Sequence, residues 1–376
     1  MNSKVNLLDN IFHFNDKLSK KDFNKIKKHY QWKFNYKLIH IVGTNGKGSN
    51  SKYINDELIL NGYNVGLFTS PHVIKMNERI KINNSDIDDE QINDFLFTLK
   101  KDFKNLKLSW FDFFFLCSIN YFESNNIDIA IFESGIGAKK DVVNYINYNF
   151  LLITSISLEH ENILGNTIFK IANDKMYSIK NNVEVFIPNS IDYKIIKKFK
   201  TRSKNKKSKF NLIKVNKETF EKINISLSKS FLTSAFKISN FKSDFSPPLG
   251  RVQNLIINNI SCYVDVAHNI ESIKATLDFF KKKKIKFEQV LLSISLDKNK
   301  KIFDIIKNED FKKIYAYQNK GRKPLDLQEY DELFIKVDNL KSFINNLDNK
   351  TLFIGSFHLV SEILEEVYCN NKKQNN

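Results

Sequence analysis

Cysteine, tryptophan, proline and glycine are all scarce in this chain of 376 residues. The three cysteines, Cys117, Cys262 and Cys369, share no metal-ligand spacing, which argues against a disulfide framework and fits a reducing compartment. There are 2 tryptophans, 5 prolines and 11 glycines. Lysine, asparagine, isoleucine and phenylalanine are abundant instead, and an AT-rich coding sequence produces that bias.

Sustained apolar runs are also missing. Residues 1–10 carry a single base, Lys4, and no apolar stretch of the kind that a signal peptide needs. The most apolar run, residues 111–122, contains Asp112, Ser118 and Asn120, and it is too short and too polar to span a bilayer. We therefore expect a cytoplasmic protein with no membrane partner.

Acidic residues are outnumbered, with 42 Asp and Glu against 59 Lys and Arg, and the net charge is +17. Such a charge is typical of nucleic-acid binding or of attraction for small polyanionic substrates, and compositional drift also produces it. The basic runs 204–207 and 281–284 lack interleaved aromatic residues that could stack on bases. We favour drift and expect no nucleic-acid partner.

One glycine-rich stretch stands out, HIVGTNGKGS at residues 40–49, between a short apolar run and an amphipathic segment. A strand, a glycine loop and a helix in that order are the context of a phosphate-binding loop. Lys47 can reach the outer phosphates, and the Ser49 hydroxyl can ligate Mg²⁺. The match to GxxxxGK[ST] is imperfect, because Ile41 replaces the first glycine and Gly48 separates Lys47 from Ser49. The alternative is a glycine-rich turn with an exposed lysine.

Apolar periodicity predicts strands that alternate with helices. Helices are expected within residues 1–37, where Leu7, Leu8, Ile11 and Phe12 share a face, and over 85–101 (with Ser85 as N-cap), 111–124 and 167–180, whereas the basic segment 201–209 should be flexible. Strands are expected at 38–42, 65–68, 127–132, 150–156, 183–187, 261–266, 290–295, 314–317 and 351–354.

The alternation predicts an α/β protein, and the chain is too long for one ordinary core. We expect a P-loop domain with a doubly wound, mostly parallel sheet at 1–243, a linker at 244–250, and a smaller Rossmann-like α/β domain at 251–376. Parallel sheets bind ligands beyond the carboxyl ends of their strands. Four polar clusters follow predicted strands of the first domain, at 43–49, 70–72, 133–137 and 159–160.

Taken together, these segments resemble the folylpolyglutamate synthase/dihydrofolate synthase family of the Mur-type ATP-dependent amide ligases. The glycine loop resembles the family's GTNGKGS, and residues 66–80 resemble its GLFTSPH and NERI segments. Residues 133–137 resemble EVGLGG, 154–165 resemble TSIGLDHTxxLG, and 174–180 resemble EKAGIIK. The segment with Ser70 and Pro71 is the most specific, because wider Mur ligases share the P-loop but lack it.

The second half of the chain carries shorter elements of the same resemblance. Residues 250–251, 265–269 and 355–356 resemble the family's GR, D(G/V)AHNP and TGS elements, and Asp297, Lys298 and Asn299 resemble its DKD-type turn. The resemblance covers about residue 38 to the C-terminus, and it implies a first domain of the Mur ligase central-domain type.

The reaction that the resemblance implies has two steps. A carboxylate attacks the γ-phosphate of ATP and becomes an acyl phosphate, and the amine of L-glutamate then attacks the acyl carbon. The implied ATP-binding residues lie in the glycine loop and just past the linker: Thr44, Asn45, Gly46, Lys47, Gly48, Ser49, Arg251 and Asp265. Lys47, Lys175, His268 and Ser356 are the implied catalytic residues, the last two tied to glutamate.

Two Mg²⁺ sites are implied, with a monovalent cation as a further candidate. Ser70 and Glu133 would serve one metal, and His160 the second. Lys175 matches a family lysine that is carbamylated, so that a cation becomes a carboxylate-like ligand of the second metal. From the residues alone, Lys175 on its helix predicts a surface lysine and His160 a structural histidine. Glu159 and Asp174 replace the family's aspartate and glutamate.

Ser109, Trp110, Phe111 and Asp112 resemble a segment beside the family's folate pocket, where an aromatic ring could stack on a pterin. Helix core is an equally good interpretation of Phe111. The chain lacks a clear LGLxR(V/I) segment, reads GAKKD at 137–141 in place of GGRLD, and shows no clear Asn-Ala helix around 228–236.

The first two of these departures touch the pterin side. We therefore favour addition of glutamate to a ready-made folate over dihydrofolate synthesis or both activities. A nucleic-acid-stimulated P-loop ATPase and a folate-binding protein without catalysis are the alternatives from other classes. Folate, L-glutamate and ATP are the expected small-molecule partners, and we expect a monomer.

Overall fold

The computed structural model describes residues 16–296, 300–321, 323–330 and 332–374, with the backbone alone for 369–374. The chain divides into two compact units. The first comprises the chain up to Pro71, Met76–Lys217 and Glu221–Ser246. The second comprises His72–Lys75, Glu218–Phe220 and the chain from Pro247 onward.

The first unit is built on an eight-stranded sheet in the order β4-β3-β2-β5-β1-β6-β7-β8. Its central strands pair in parallel, whereas β2–β3 and β3–β4 are antiparallel. The strands are β1 (Lys37–Val42), β2 (Val65–Phe68), β3 (Ile80–Ile82), β4 (Ser85–Asp86), β5 (Ile129–Glu133), β6 (Phe150–Ile153), β7 (Glu184–Pro188) and β8 (Lys209–Ile213). The helices are α1 (Lys20–His29), α2 (Lys47–Leu60), α3 (Asp89–Asp102), α4 (Trp110–Ser124), α5 (Glu161–Leu164), α6 (Ile168–Lys175), α7 (Tyr193–Asn205) and α8 (Phe220–Phe236).

Both faces of this sheet are covered, because successive side chains of a strand point to opposite faces. On β1, Leu38 and Val42 pack with the buried phenylalanines of α4, whereas Ile39 and Ile41 pack with Leu58 of α2 and with apolar residues of α8. The sheet therefore has one core on each face, as in a doubly wound fold.

The second unit has a six-stranded sheet in the order β13-β12-β11-β14-β10-β9, parallel except for the β9–β10 pair. Its strands are β9 (Gln253–Ile257), β10 (Ile260–Asp265), β11 (Gln289–Leu292), β12 (Lys313–Tyr317), β13 (Ile335–Val337) and β14 (Thr351–Ile354). Its helices are α9 (Ile270–Lys282), α10 (Lys301–Lys307), α11 (Leu340–Asn345) and α12 (Phe357–Gln374). Leu291 and Leu292 pack into different cores, so this sheet is also covered on both faces.

The predicted fold class is confirmed, and each predicted strand overlaps an observed one. The predicted helix 85–101 is wrong at its start. Ser85 begins the short strand β4, because Asn83 and Asn84 adopt positive φ and form a tight hairpin turn after β3. Helix α3 begins at Asp89 after the N-cap Asp88, whose side chain forms a capping box with Gln91.

Two further expectations are corrected. The basic segment 201–209 is ordered: α7 continues to Asn205, held by buried Phe199 and Ser203, and β8 begins at Lys209. The region 228–236, where no clear Asn-Ala helix was expected, lies in helix α8, whose residues Leu227 and Phe231 are buried four positions apart. The family motif is blurred there, but the helical spacing of apolar residues is intact.

Some predictions fall outside the described residues, namely the helical face of Leu7, Leu8, Ile11 and Phe12 and the turn Asp297, Lys298 and Asn299. Among the helices of the described chain, none has the length and apolarity needed to cross a bilayer.

Candidate active site

The glycine loop connects β1 to α2, as predicted, and the segment after β6 supports it. The Thr44 hydroxyl donates to the Ser157 carbonyl at 3.2 Å, and the Asn45 N–H donates to the Ser155 hydroxyl at 2.8 Å. A side chain at Gly43 would place Cβ 1.9 Å from Thr154 Oγ1, so that the two segments could not approach as they do. The two hydrogen bonds and the close approach of the segments restrict the backbone conformation of the glycine loop.

Helix α2 begins at Lys47, after Gly46 in the left-handed region with φ +83°. A Cβ on Gly46 would lie 2.5 Å from Oδ1 of Asn224 on α8. Asn224 also accepts a hydrogen bond from Nδ2 of Asn50 at 3.0 Å. Sequence reasoning missed Asn224, because the helix that carries it did not match the family motif.

Two lysine ammonium groups meet at the carbonyl oxygen of Gly43. Lys47 Nζ donates to it at 3.0 Å and also to the Thr44 carbonyl at 3.1 Å. Lys175 Nζ, which is fully buried, donates to the same Gly43 oxygen at 2.9 Å and to Glu159 Oε1 at 2.6 Å. From the residues alone a surface position was expected for Lys175, and that expectation is wrong.

Neighbouring charges shift the pKa values of Lys175 and Glu159. Burial lowers the pKa of Lys175, Glu159 opposes that effect, and the nearby Lys47 adds to it. Burial disfavours the Glu159 carboxylate, but Lys175 and Lys47 outweigh burial and hold the pKa of Glu159 at about 2. An ion pair therefore joins helix α6 to the segment before α5.

Glu133 ends β5 and is buried beside the glycine loop. Its Oε2 accepts a hydrogen bond from the Ser70 N–H at 3.3 Å, and a Cβ on Gly48 would lie 3.7 Å from the same oxygen. The structure thus brings together Ser70, Glu133 and the glycine loop. His160 follows Glu159 directly and begins α5 with a left-handed backbone, φ +44°.

The four residues predicted to bind folate lie at the start of α4. Ser109 is the N-cap, and Asp112 Oδ2 accepts hydrogen bonds from the N–H groups of Ser109 and Leu18. Both side chains therefore stabilise the helix start and its neighbourhood. Trp110 stacks on Phe114 of the same helix.

Phe111 lies against the turn that follows Glu133. Its ring atoms would lie 3.0 Å from a Cβ on Gly135. In the same turn, the Gly135 N–H donates to Asp141 Oδ2 at 2.8 Å. Burial raises the pKa of Asp141 to about 7, although hydrogen bonds from Val143 and Gly135 oppose that shift. Sequence reasoning gave Asp141 no role.

In the second unit, three of the predicted residues gather around Phe357 at the start of α12. The Arg251 guanidinium lies 4.8 Å from the Phe357 ring, and the His268 ring centroid lies 5.8 Å from it. Ser356 precedes Phe357, and its Oγ accepts a hydrogen bond from the Leu359 N–H at 3.0 Å. His268 Nδ1 donates to the Val266 carbonyl at 2.9 Å, since a carbonyl can only accept.

Asp265 ends β10, and its carboxylate organises the second unit's own backbone. Oδ1 accepts from the Ala267 N–H at 2.7 Å, and Oδ2 accepts from the Val252 N–H at 2.8 Å. Burial raises the pKa of Asp265, and Arg251 opposes that effect. Asn319, which sequence reasoning missed, is buried and donates through Nδ2 to the hydroxyls of Ser293 and Ser356.

No group of three or more His, Cys, Asp or Glu side chains that could hold a metal ion occurs among the described residues. The predicted ligand sets do not require one, because they rest on a serine, one carboxylate, a histidine and a modified lysine. Mg²⁺ commonly takes one or two carboxylates and completes its octahedron with phosphate oxygens and water.

Parts of the chain are similar in sequence to two enzymes of known name. A dihydrofolate synthase/folylpolyglutamate synthase of Bacillus subtilis is 38% identical over 156 residues, which are 40% of this chain and 36% of the relative. A folylpolyglutamate synthase of Candida albicans is 28% identical over 324 residues, 71% of this chain and 61% of the relative. The chain is similar to folylpolyglutamate and dihydrofolate synthases.

Solved structures of folylpolyglutamate synthases share the fold. The crystal structure of a bifunctional folylpolyglutamate synthase/dihydrofolate synthase with Mn, AMPPNP and L-glutamate bound matches with a TM-score of 0.81, covering 95% of this chain and 96% of that one. Its identity of 18% shows a common fold alone. No family model matches the chain. The resemblance predicted from the motifs is confirmed, although the aligned segments span only 36% and 61% of the two relatives.

Proposed function

We propose that the chain is an ATP-dependent ligase that adds L-glutamate to the terminal carboxylate of tetrahydrofolate polyglutamates, releasing ADP and phosphate. The relatives are named for this activity. The proposal assigns the glycine loop to the phosphates of ATP, the turn after β5 to a metal ion and folate, and the polar residues around Phe357 to glutamate.

One observation carries the proposal: the buried Glu133 carboxylate lies beside both Gly48 and Ser70. A phosphate loop with an adjacent carboxylate is the arrangement that a metal-bound nucleotide needs. Ser70, in the segment most specific to the family, lies at the same carboxylate. A plain ATPase accounts for the loop and the carboxylate but gives no reason for that segment.

The chemistry consists of two transfers. A carboxylate oxygen of folate attacks the γ-phosphorus of ATP, the bond to the bridging oxygen breaks, and ADP leaves. The glutamate nitrogen then attacks the acyl carbon, loses a proton, and phosphate departs with the carbon–oxygen bond pair. Lys47 lies in the glycine loop, where its ammonium group can stabilise the charge that spreads over the transferred phosphoryl oxygens.

Of the two proposed ligand sets, one suits a divalent metal ion as it stands, and the other does so only after modification of its lysine. Glu133 and Ser70 offer oxygen ligands and would hold one Mg²⁺, which neutralises phosphate charge when bound. His160 and Lys175 would hold a second. Lys175 fits that set only as a carbamate, because its ammonium form would repel a cation.

Residues of the second unit are proposed to bind the other reactants. Arg251, whose guanidinium lies over the Phe357 ring, would contact ATP phosphates. His268 and Ser356 would bind glutamate. Asp265 is assigned an indirect role. Both of its carboxylate oxygens accept hydrogen bonds from N–H groups of the second unit, so it orients the backbone near Arg251.

A second candidate function is dihydrofolate synthesis, the addition of glutamate to 7,8-dihydropteroate. The Bacillus subtilis relative carries both names. Phe111 and the buried Asp141 both contact the Gly135 turn, so an aromatic ring and a carboxyl group are available near it for a pterin.

To test the proposal, purified protein is incubated with ATP, Mg²⁺ and radiolabelled L-glutamate, and with one acceptor at a time: tetrahydrofolate, its polyglutamates or 7,8-dihydropteroate. Incorporation of glutamate and formation of ADP are measured. We expect incorporation with the tetrahydrofolate substrates, with ADP formed in equal amount. Incorporation with dihydropteroate alone would replace the first function with the second. Absence of incorporation and of ADP above background with every acceptor would exclude the ligase.

A further inference from the structure

His40 is a buried histidine that the proposed reaction does not use. It lies on β1, three residues before Gly43, and it is 1% exposed. Its Nε2 lies 2.7 Å from Oγ of Ser134, and its ring packs against Tyr148 with centroids 4.7 Å apart. Ser134 follows Glu133 directly and is also buried.

The hydrogen bond between these side chains has a defined direction. His40 Nδ1 finds no partner among the described residues. A buried N–H without an acceptor is costly, so the proton of the neutral ring belongs on Nε2 and Nδ1 keeps a lone pair. Nε2–H therefore donates to Ser134 Oγ. Burial, reinforced by Lys180, lowers the pKa of His40 well below its usual range, in agreement with a neutral ring.

Three successive residues, the last of β5 and the first two of the following turn, each take part in a separate contact. Glu133 Oε2 accepts from the Ser70 N–H, and the Ser134 N–H donates to the Ile41 carbonyl at 3.0 Å. The Gly135 N–H donates to Asp141. The contact from His40 adds a side-chain restraint to Ser134, at the residue next to the Glu133 carboxylate.

We infer that His40 is a positioning residue, which fixes the Glu133 carboxylate for divalent metal binding by holding Ser134. The inference rests on the proposed role of Glu133 as a metal ligand. In this inference a histidine on β1, before the phosphate loop, orients a residue at the end of the neighbouring strand β5. In the β1–β5 pairing, Ile41 lies opposite Glu133 and His40 opposite Phe132, so the restraint is applied one residue from the ligand.

Two substitutions of His40 separate positioning from packing. His40→Gln places an amide N–H near the position of Nε2, so it can still donate a hydrogen bond to Ser134 Oγ. His40→Asn places its shorter amide near the position of Nδ1, so it cannot reach Ser134 Oγ. Both remove the ring that packs against Tyr148, so a packing defect should affect them alike. Ser134→Ala removes the acceptor and leaves His40 in place.

Metal binding is measured by Mn²⁺ titration with electron paramagnetic resonance, in the presence of a non-hydrolysable ATP analogue. Removing a group that orients a metal ligand weakens affinity by about 10-fold or more. We expect that loss in His40→Asn and Ser134→Ala, retention within about threefold in His40→Gln, and no further loss when Ser134→Ala is combined with His40→Asn. In turnover assays the Mg²⁺ concentration for half-maximal rate should rise more than kcat falls.

Equal Mn²⁺ affinity in wild type and His40→Asn would overturn the inference, as would equal losses in His40→Asn and His40→Gln. A thermal unfolding shift without a change in affinity would assign His40 to packing alone. The proposed function fails separately, when wild-type protein binds Mn²⁺ and nucleotide yet joins no glutamate, and the comparison of Mn²⁺ affinities still decides the role of His40.

Discussion

At the scale of single residues, the Gly43 carbonyl oxygen brings two positive charges close together. Two ammonium groups, those of Lys47 and Lys175, donate to one oxygen, and the Glu159 carboxylate lies against the second of them. Like charges at this distance repel, and burial strengthens the repulsion. Conversion of Lys175 to a carbamate would replace one of the two positive charges by a negative one.

Lys175→Ala is expected to lower kcat about 100-fold, because the ligand proposed for the second metal is lost. Acetate or propionate added at high concentration should restore part of the rate by filling the space of the missing carboxylate. Lys170→Ala is the matched control, since Lys170 is exposed on the same helix α6. Full activity of Lys175→Ala without added carboxylate would exclude the carbamate.

Asp141 should make the first unit less stable as pH rises. Its folded-state pKa is raised to about 7 by burial, above the value near 3.9 of an unfolded chain. Folding therefore favours the protonated carboxyl. Its stabilising contribution is complete below about pH 4 and is lost as pH rises through 7, by up to about 4 kcal/mol.

Asp141→Asn supplies the comparison, because its side chain stays neutral at every pH. Chemical denaturation can be followed by tryptophan fluorescence, since Trp32 and Trp110 both lie in the first unit. We expect the unfolding free energy of wild type, relative to Asp141→Asn, to fall between pH 5 and pH 8. A constant difference across that range would show that Asp141 ionises normally.

At the scale of elements, helix α2 has a positive-φ glycine beside each end, and the two differ in their surroundings. Gly46 precedes the helix with φ +83°, and Gly62 follows it with φ +88°. A Cβ on Gly46 would meet Asn224 Oδ1 at 2.5 Å, whereas a Cβ on Gly62 would meet nothing within 4 Å. An alanine would be strained by the positive φ at both sites, but only at Gly46 would it also collide with a neighbouring side chain.

Gly62→Ala should therefore cost about 1–2 kcal/mol of unfolding free energy from backbone conformation alone. Gly46→Ala should cost more, and it should also weaken ATP binding, because displacement of Asn224 moves the glycine loop. Denaturation and calorimetric nucleotide titration of both variants provide the measurement. Equal stability and equal ATP affinity in the two variants would mean that Asn224 gives way freely.

Elements of regular periodicity were predictable from the sequence, whereas a short turn of two asparagines and a segment held by distant packing were not. Strand β1, the glycine loop and α2 follow from an apolar run, three glycines and helical spacing. The hairpin at Asn83 and Asn84 was missed, because two asparagines at positive φ override the N-cap signal of Ser85. The order of α7 in a basic segment depends on Phe199 and Ser203 packing into a core that composition does not reveal.

The candidate site divides in the same way. Motifs predicted Lys47, Ser70, Glu133 and Lys175, but the burial of Lys175 and its ion pair with Glu159 required the fold. Asn224 and Asn319 carry no local signal at all. Each becomes recognisable only when a distant segment is placed against it, as Gly46 is against Asn224.

At the scale of the whole molecule, the two units are not consecutive along the chain. A short N-terminal segment belongs to the second unit, although most of the first unit follows it in the sequence. Residues His72–Lys75 belong to the second unit, although they follow directly on β2 and Ser70 of the first. Val73 is 8% exposed and packs in the core that contains Val264, Val266 and Val360. A short apolar segment from the N-terminal half therefore completes a C-terminal core.

Val73→Ala should destabilise the second unit by about 2 kcal/mol, because it removes buried methyl groups and leaves a cavity. The first unit has its own cores, so the denaturation midpoint measured by the fluorescence of Trp32 and Trp110 should stay unchanged. Far-ultraviolet circular dichroism reports both units and should show part of its transition at lower denaturant. Lys75→Ala, an exposed residue of the same segment, is the control. If the fluorescence midpoint moved together with the dichroism, the two units would unfold as one.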